Sequence, residues 1–514
     1  MTLSSAFNII NSAFDANAAQ TAVISRNISN SSTTGYSLKT ANLATNSYGG
    51  VEVASITRAT NTALQEHMLA ANSQSAQQSA LANGLAQLSA TVSDSASTSS
   101  TSSTTTASGQ SPSAMLANLQ TALQDYQTSP TDSTVAASVV TAASDLTTSL
   151  NNGTTTVQQV RSNADSAMAQ SVATINSLLG QFQSANNAVV SGLQSGADVT
   201  DAEDSRDNIL TQLSQQIGVS TVTSANGSES IYTDSGVTLF QTTPRTVSFT
   251  ATPTLTAGAT GNPVMVDGVP ITGSSSPMAI HSGALAGLAT LRDTTAPQYQ
   301  AQLDQIANGL VNAFAETDQS GSATPGPPLP GLFTYSGFSI AAGLPADTSV
   351  PAGLAGQISI NASVDPSQGG NVNLLRDGGI ANAVAGNTNY TYNATGAAGY
   401  TTRIQQLITQ ISASQAFDPS AGAGSSDSLT GYANSSVSWV QGQYQQATDQ
   451  ASSSSAVATA ASQALSNATG VNLDAETSQM LSLENSYQTS AKLLSTVNNM
   501  FASLLTAVTA VAVP

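Results

Sequence analysis

Few side chains in this sequence have the chemistry of a catalytic or metal site. The 514 residues include two histidines and no cysteine, which excludes thiolate nucleophiles, thiolate metal ligands and disulfides. His67 stands beside Glu66 on a predicted helix, where we expect a surface position, and His281 precedes Ser282, a predicted helix N-cap. The two histidines are isolated and far apart in sequence. We therefore predict no catalytic site and no metal site around them.

The carboxylates at Asp201, Glu203 and Asp204 are the second candidate group. They stand at the predicted start of a helix, where the helix dipole stabilises negative charge. A calcium loop needs Asp or Asn at alternate positions, a central Gly and a final Glu, and no segment supplies that pattern. The sequence also contains no phosphate-binding loop, no Gly-x-Ser-x-Gly and no His-Glu-x-x-His. We predict a structural protein that is not an enzyme and that binds no cofactor.

The composition excludes several classes of partner. Charged residues make up only 8% of the chain and the net charge is −19, with ten Lys and Arg scattered singly. Nucleic-acid binding needs a basic surface, and acidic membrane surfaces repel such a chain. There is no run of about 20 apolar residues that would span a membrane. The N-terminus lacks the basic region and the continuous apolar run of a signal peptide, so export would use a route without a cleaved signal.

Both ends of the chain carry narrow apolar stripes that repeat every 3.5 residues, the period of a coiled-coil seam. The N-terminal stripe starts near Leu3 and contains Phe7, Ile10, Phe14, Asn17, Thr21, Ile24 and Ile28. The C-terminal stripe contains Leu473, Met480, Leu483, Tyr487, Leu494, Val497, Phe501, Leu504 and Val508. Each stripe is too narrow to form a core alone and requires a partner helix. The alternative is that both stripes are inner faces of a soluble helical bundle.

Between the two ends, the sequence alternates between helical and β-like segments. Helical patterns cover residues 64–92, 115–150, 157–192, 204–217 and 283–318, and helix resumes at Thr401. Residues 219–249 and 264–280 mix β-branched residues with turn formers, and Asn226-Gly227 is a hairpin signal. We predict a mainly α fold with β insertions. Its parts are long terminal coiled-coil-like helices, a helical central bundle and small β-rich domains in the middle.

These patterns also predict how the chain is divided into domains. Residues 1–35 and 472–514 form a terminal helical assembly domain, and residues 36–218, 281–320 and 401–471 form a helical rod-like domain. Residues 219–280 form a β-rich excursion, and residues 325–400 form a small β-rich outer domain. The Ser/Thr tract 93–109 is expected to be a loop or a flexible linker. The chain leaves and returns through helices, so both termini are expected at the same end of a long molecule.

The turn after the first helix resembles a known motif. The segment Asn27-Ile28-Ser29-Asn30-Ser31-Ser32-Thr33-Thr34-Gly35-Tyr36 is similar to Asn-x-x-Asn-x-x-Thr-x-Gly-Tyr of flagellar rod, hook and hook-associated proteins. The matching positions are Asn27, Asn30, Thr33, Gly35 and Tyr36. Two positions depart from the family. Arg26 replaces the usual Asn, and Leu38 stands where a basic residue is common.

Three further segments resemble the same flagellar axial family. Two are similar to hook-associated proteins, namely Asp204-x-Arg206-Asp207-x-x-Leu210 with its continuation to Val219, and Ser282-Gly283-x-Leu285 to Leu291-Arg292-Asp293. The third is shared across the axial group, namely Asn472-Leu473-Asp474-x-Glu476 with Leu483-x-x-x-Tyr487-Gln488-x-Ser490-Ala491-Lys492. The resemblance covers both ends and the middle, but not residues 93–109 or 332–399.

The resemblance implies a structural subunit of the bacterial flagellum at the junction between hook and filament, formed by ring-like self-assembly through the terminal stripes. The implied partners are further copies of the chain, the flagellar hook subunit, a second junction protein and a flagellar export chaperone. It implies secretion by the flagellar type III pathway and an extracellular place in the organelle of motility. The alternatives are another axial protein, such as the hook subunit, or a secreted adhesin-like surface protein.

Overall fold

A computed structural model describes residues 3–47, 49–94, 110–346 and 349–511 of the chain. Most of the Ser/Thr tract predicted as a linker lies outside the described residues. The α-helices, in chain order, are α1 (Leu3–Ser29), α2 (Thr62–Ala90), α3 (Pro112–Thr128), α4 (Ser133–Ser195), α5 (Thr200–Gln216), α6 (Ala284–Thr290), α7 (Ala296–Ala313), α8 (Leu374–Asp377), α9 (Asn382–Ala385), α10 (Thr402–Ser412), α11 (Leu429–Thr469) and α12 (Leu473–Val511). A π-helix, Leu291–Thr295, joins α6 to α7.

The strands are short and pair in small antiparallel sheets. They are β1 (Lys39–Thr45), β2 (Val51–Arg58), β3 (Val219–Thr223), β4 (Glu229–Thr233), β5 (Thr238–Phe240), β6 (Val247–Ser248), β7 (Met265–Val266), β8 (Val269–Pro270), β9 (Phe333–Tyr335), β10 (Ile358–Ile360), β11 (Ser414–Ala416) and β12 (Ser426–Ser428). The sheets are β1-β2, β3-β4-β5, β6-β7-β8, β10-β9 and β11-β12. The predicted Asn226-Gly227 turn lies between β3 and β4, with Gly227 at φ +80°. The mainly α fold with small β insertions is confirmed.

Helix α4 is the spine of the molecule. Its 63 residues span about 95 Å at the usual helical rise. The first half of α4 packs with α3, α7, α10 and α11 in one hydrophobic cluster. The second half packs with α5, α6 and strands β4 to β7 in another. The single helix α4 therefore contributes residues to both hydrophobic clusters.

The predicted break within this spine is wrong. The sequence patterns 115–150 and 157–192 placed an interruption near Gly153, whereas the structure has it between Thr128 and Ser133. Pro130 has no amide hydrogen to continue α3, and the Asp132 carboxylate caps the next helix by accepting from the amide of Thr134 at 2.8 Å. Gly153 remains helical, and Leu303 packs over it. A Cβ at this position would lie only 3.0 Å from Leu303 Cδ1, so the glycine leaves the space that Leu303 occupies.

Residues 36–218 were predicted to be part of a helical rod-like domain, and the β1-β2 hairpin near the start of this range is a correction to that prediction. Seven residue pairs join Lys39–Thr45 to Val51–Arg58, with a bulge after Asn42. Val51, Val53 and Ile56 of β2 are half-buried, but most of β1 is exposed and its one buried side chain is Lys39, so the apolar alternation that marks a half-buried strand is confined to β2. It packs beside α1 and is part of the site described below.

The segment 325–400 was predicted to be β-rich, and its strand content is lower than predicted. Among its described residues it contains only the strands β9 and β10, of three residues each, between turns and short helical segments. Gly337, at φ +88°, lies two residues after the end of β9 and favours a turn there. Leu332, Phe333 and Ile358 are buried in the same cluster as α4 and α7. The proposed domain boundaries remain a prediction.

A buried carboxylate on α7 holds this segment in place. Asp304 accepts from the amides of Gly353 at 2.7 Å and Ala355 at 2.9 Å, and from Gln300 Nε2 at 3.0 Å. Burial raises the pKa of Asp304 to about 6, although these three hydrogen bonds act in the opposite direction. The folded chain therefore binds a proton here at a pH where the unfolded chain has already released it.

This pKa predicts a pH-dependent stability. The contribution of Asp304 to the free energy of unfolding is complete below about pH 4 and is lost as the pH rises through about 6, by roughly 2–3 kcal/mol. We expect the stability of the wild type relative to Asp304→Asn to fall over this interval in urea unfolding curves. The exposed control Asp145→Asn should run parallel to the wild type. Parallel curves for Asp304→Asn would contradict the prediction.

Candidate assembly interface

The two terminal helices lie antiparallel against each other, along the predicted stripes. The rings of Phe14 and Tyr487 meet edge to face with centroids 5.0 Å apart. Asn17, at a seam position, donates from Nδ2 to Ser486 Oγ at 3.2 Å. Near the other end of the pair, Asn27 contacts Glu476. The helices α1 and α12 therefore bring the two ends of the chain side by side.

The predicted interface residues are unequally covered by this pairing. On α1, Ile10 and Ile24 are buried, and Phe7, Phe14 and Ile28 are half-buried. On α12, Val497 is buried, and Met480, Leu483 and Leu494 are half-buried. The other predicted residues of α12 are 42–58% exposed: Leu473, Tyr487, Phe501, Leu504 and Val508. The pair is therefore not a closed hydrophobic interior.

The apolar surface of α12 widens toward its C-terminal end. Beyond the predicted stripe, Leu493, Met500 and Leu505 are also more than half exposed. In a heptad frame that places Leu494 and Phe501 at one seam position, the first two of these precede the seam and the third follows it. Such flanking positions are used when a helix contacts more than one neighbour. The stripe identified from the sequence was too narrow at this end.

Helix α12 also extends past the start of α1. Continuing from the Phe14–Tyr487 contact at equal rise, Leu3 lies opposite about residue 498. Val497 is accordingly the last buried residue of α12 up to Val508. The widest part of the apolar surface thus lies beyond the region that α1 covers.

The motif turn connects the terminal helices to the hairpin through Asn27. This side chain is 1% exposed, and its Nδ2 donates to Lys39 O and to Glu476 Oε2, both at 2.8 Å. Its Oδ1 accepts from Tyr36 Oη at 2.8 Å and from the Lys39 amide at 3.1 Å. One amide group therefore joins α1, the turn, β1 and α12.

The remaining motif residues build the turn itself. Asn30 Nδ2 donates to Arg26 O at 2.9 Å, and Thr33 Oγ1 donates to Asn30 Oδ1 at 3.2 Å. Gly35 adopts φ +76°, and a Cβ on it would lie 1.8 Å from Asn208 Oδ1 of α5. A side chain at this position would be both strained and in collision. The motif is therefore a folded turn that docks on α5.

Removing the Asn27 side chain should loosen the terminal module, which consists of α1, the motif turn, the β1-β2 hairpin and α12. Asn27→Ala leaves the buried Glu476 carboxylate and the Lys39 backbone groups without their partner, which costs about 3 kcal/mol. We expect amide hydrogen exchange in α1 to become faster while exchange in α4 is unchanged. Asn8→Ala, at an exposed position of the same helix, is the matched control. Equal exchange rates in the two variants would contradict this role for Asn27.

The carboxylates at the start of α5 have a role that the sequence did not reveal. They contact Lys39 and Arg58 of the terminal module, in addition to the interaction with the helix dipole that the sequence suggested. The buried Lys39 Nζ contacts Asp201 and lies 3.2 Å from Asp204 Oδ2. Arg58 binds Glu203 at 3.0 Å and Asp207 at 2.5 Å. Burial alone would lower the pKa of Arg58, but these carboxylates outweigh burial and raise it.

A second group of buried charges lies where the β excursion meets the rod. Arg292 of the π-helix is fully buried and binds Asp165 Oδ1 of α4 at 2.5 Å and Asp293 at 2.8 Å. Its Nη2 also donates to Asn262 O at 2.8 Å, and Arg161 Nε donates to Arg292 O at 3.0 Å. Each group includes charged residues of a segment that resembles hook-associated proteins, namely Asp204 and Asp207 in the first group and Arg292 and Asp293 in the second. The scarcity of basic residues was the signal that such residues have specific partners.

The histidines take no part in either group. His67 is exposed on α2, and His281 is exposed with Nδ1 at 3.9 Å from Asp234 Oδ1. Among the described residues, no set of three or more Asp, Glu, His or Cys side chains is arranged to hold a metal ion. Within the same ranges, no helix has the length and apolar character to cross a membrane.

Comparisons with known proteins agree with these features. A family model described as the helical domain of the flagellar hook-associated protein FlgK matches residues 98–332. A second, described as the C-terminal segment of the flagellar basal body rod proteins FlgEFG, matches residues 461–507, which include most of α12. Together the two models match more than half of the chain.

One solved structure is similar over part of its length. The flagellar hook junction protein FlgK from Burkholderia pseudomallei is 24% identical, with a TM-score of 0.40. The match covers 53% of this chain and 47% of that chain, so it spans about half the length of that protein. No curated protein sequence matches the chain. The middle of the chain thus matches a FlgK-type helical domain, and its C-terminal part matches the C-terminal segment of the flagellar rod proteins.

Proposed function

We propose that this chain is the first hook-associated protein, a structural subunit that joins the flagellar hook to the filament. The helical domain matched at residues 98–332 supports the hook-associated role, and it argues against the hook subunit as the alternative. The observation that carries the proposal is the exposed apolar face of α12, in a segment shared with rod proteins. The role needs no catalytic or cofactor site.

The proposed assembly is a ring in which each α1–α12 pair packs against the pairs of neighbouring copies. Tyr487, Phe501, Leu504 and Val508 are the exposed seam residues that a neighbour would cover. These four side chains are already about half buried, so covering the remainder contributes about 1 kcal/mol each, or roughly 4 kcal/mol per subunit. This lies at the lower end of the cost of fixing one subunit against another, and contacts on both sides of each subunit in a closed ring add to it.

The further partners follow from the same role. The hook subunit lies below the ring and a second junction protein above it, and an export chaperone holds the chain before secretion. The chain reaches the extracellular flagellum through the flagellar type III pathway. Small neutral side chains dominate the surface, which suits dense packing because they avoid the desolvation cost of buried charges. We expect few ion pairs between subunits.

Deletion of the gene tests this function directly. Cells that lack the protein should keep their hooks, lose their filaments, release flagellin into the medium and fail to swim. Electron microscopy and swimming assays measure these results, and the intact gene supplied in trans should restore filaments. Normal filaments in the deletion strain would refute the proposal. Loss of the hooks as well would instead place the protein earlier in assembly.

A further inference from the structure

The ion pairs between the terminal module and the rod form two layers that differ in exposure. The inner layer consists of Lys39 and Arg58 with Asp204 and Asp207, whose side chains are between 0% and 22% exposed. The outer layer is Arg26 with Asp198 of the α4–α5 connection and Asp201 in the first turn of α5, and Asp201 also contacts Lys39 of the inner layer. The side chains of Arg26, Asp198 and Asp201 are 33%, 28% and 68% exposed. The outer layer is therefore much closer to solvent.

The outer layer has a defined geometry. Arg26 Nη2 lies 3.0 Å from Asp198 Oδ2, and Arg26 Nη1 lies 3.3 Å from Asp201 Oδ2. Asp198 is held in place by Thr200, whose amide and Oγ1 donate to its Oδ1 at 3.0 and 2.7 Å. Burial acts to raise the pKa of Asp198, but the hydrogen bonds from Thr200 and Arg26 outweigh it and lower that pKa. Asp198, three residues after the end of α4, is therefore a charged and oriented acceptor for Arg26.

The two layers hold different parts of the terminal module. The inner cations lie on β1 and β2, so the inner layer fixes the hairpin to α5. Arg26 lies in the last turn of α1, so the outer layer attaches α1 itself to the α4–α5 connection and to the first turn of α5. Because α12 is paired with α1, a change at Arg26 alters the direction of both terminal helices relative to the rod.

Salt acts unequally on the two layers. Ions screen exposed charge pairs strongly and buried pairs weakly, and an exposed pair contributes little to total stability. Breaking the outer layer therefore leaves the hairpin attached and the rod folded, while α1 loses its ion pairs to the rod and is held to it only through the motif turn and the hairpin.

We propose that Arg26 is a positioning residue that sets the tilt of the α1–α12 pair on the rod, through a contact that salt releases. The inner layer keeps the hairpin attached to α5 at high salt, whereas salt breaks the ion pairs of the outer layer. This inference rests on the contacts of the single chain and is independent of the proposed function.

Distance measurement between two spin labels tests the proposal in the full-length chain. The sequence has no cysteine, so one chain can carry two labels, the first at Asn8→Cys near the N-terminal end of α1 and the second at Ser191→Cys on α4. Both positions are exposed. At low salt we expect one narrow distance peak, and at about 0.5 M NaCl, where the Debye length falls to about 4 Å, a broad distribution.

Arg26→Gln should give the broad distribution already at low salt, and further salt should not change it. The matched control is Arg245→Gln, which breaks an exposed pair with Asp267 at 3.4 Å in the β excursion. It should retain both the narrow peak and the response to salt. Thermal unfolding followed by circular dichroism should be unchanged in both variants. A salt-independent wild-type peak, a broad wild-type distribution at low salt, or a narrow peak in Arg26→Gln would overturn the proposal.

Discussion

A chain with Phe501→Ser and Leu504→Ser is expected to fold normally and to fail in assembly. Both side chains are exposed, at 42% and 58%, so their loss leaves no cavity in the single chain. In a ring, the exposed half of each would be covered by a neighbour, and removing both costs about 2 kcal/mol per subunit, a factor of roughly 30 in an association constant. This loss recurs at every contact around the ring.

The measurements are thermal unfolding of the purified chain and complementation of the deletion strain. We expect an unchanged unfolding temperature, together with cells that have hooks and no filaments. Val457→Ser replaces an exposed apolar residue on α11, outside the proposed interface, and should support normal filaments. Normal swimming with the double variant would remove α12 from the assembly interface. A lowered unfolding temperature would show that these residues stabilise the single chain instead.

The largest loss of stability is expected from Arg292→Met. Burial acts to lower the pKa of Arg292, but Asp293 and Asp165 outweigh burial and raise it, so the buried group stays charged. Replacing it leaves two carboxylates and the Asn262 carbonyl without their cationic partner. Removing one member of a buried ion pair costs about 3–5 kcal/mol. Urea unfolding should report a loss of this size.

Two controls separate this loss from a general effect of removing an arginine. Arg245→Met removes an arginine that is 45% exposed and should cost under about 1 kcal/mol. Adding Asp165→Asn to Arg292→Met neutralises one orphaned carboxylate and should recover part of the stability. If Arg292→Met and Arg245→Met were equally stable, the Asp165–Arg292–Asp293 group would not hold the β excursion on the rod.

The few basic residues of this chain are used mainly within the subunit. Arg26, Lys39 and Arg58 join the terminal module to α5, and Arg292 joins the β excursion to α4. Each group lies where two parts of the chain meet. Ion pairs have stricter geometry than apolar contacts, so they are suited to fixing the direction in which one part leaves another.

The terminal helices were predictable because their signal is local. Seam residues such as Ile10 and Val497 repeat every 3.5 positions, and no Gly or Pro interrupts the pattern between residues 473 and 508. The motif turn was equally recognisable from Asn27 to Tyr36. The break in the spine was misplaced at Gly153 because a helical glycine is acceptable where a neighbour such as Leu303 fills its space, and that neighbour is 150 residues away.

The sequence by itself determined the mainly α fold, the paired terminal stripes and the kinship with axial proteins, because each of these is written in neighbouring residues. Only the tertiary structure decided which charges meet. Arg26 and Asp198 are 172 positions apart, and Asn27 and Glu476 are 449 apart. No local periodicity encodes such pairs, since they depend on how α4 and the hairpin orient the turn.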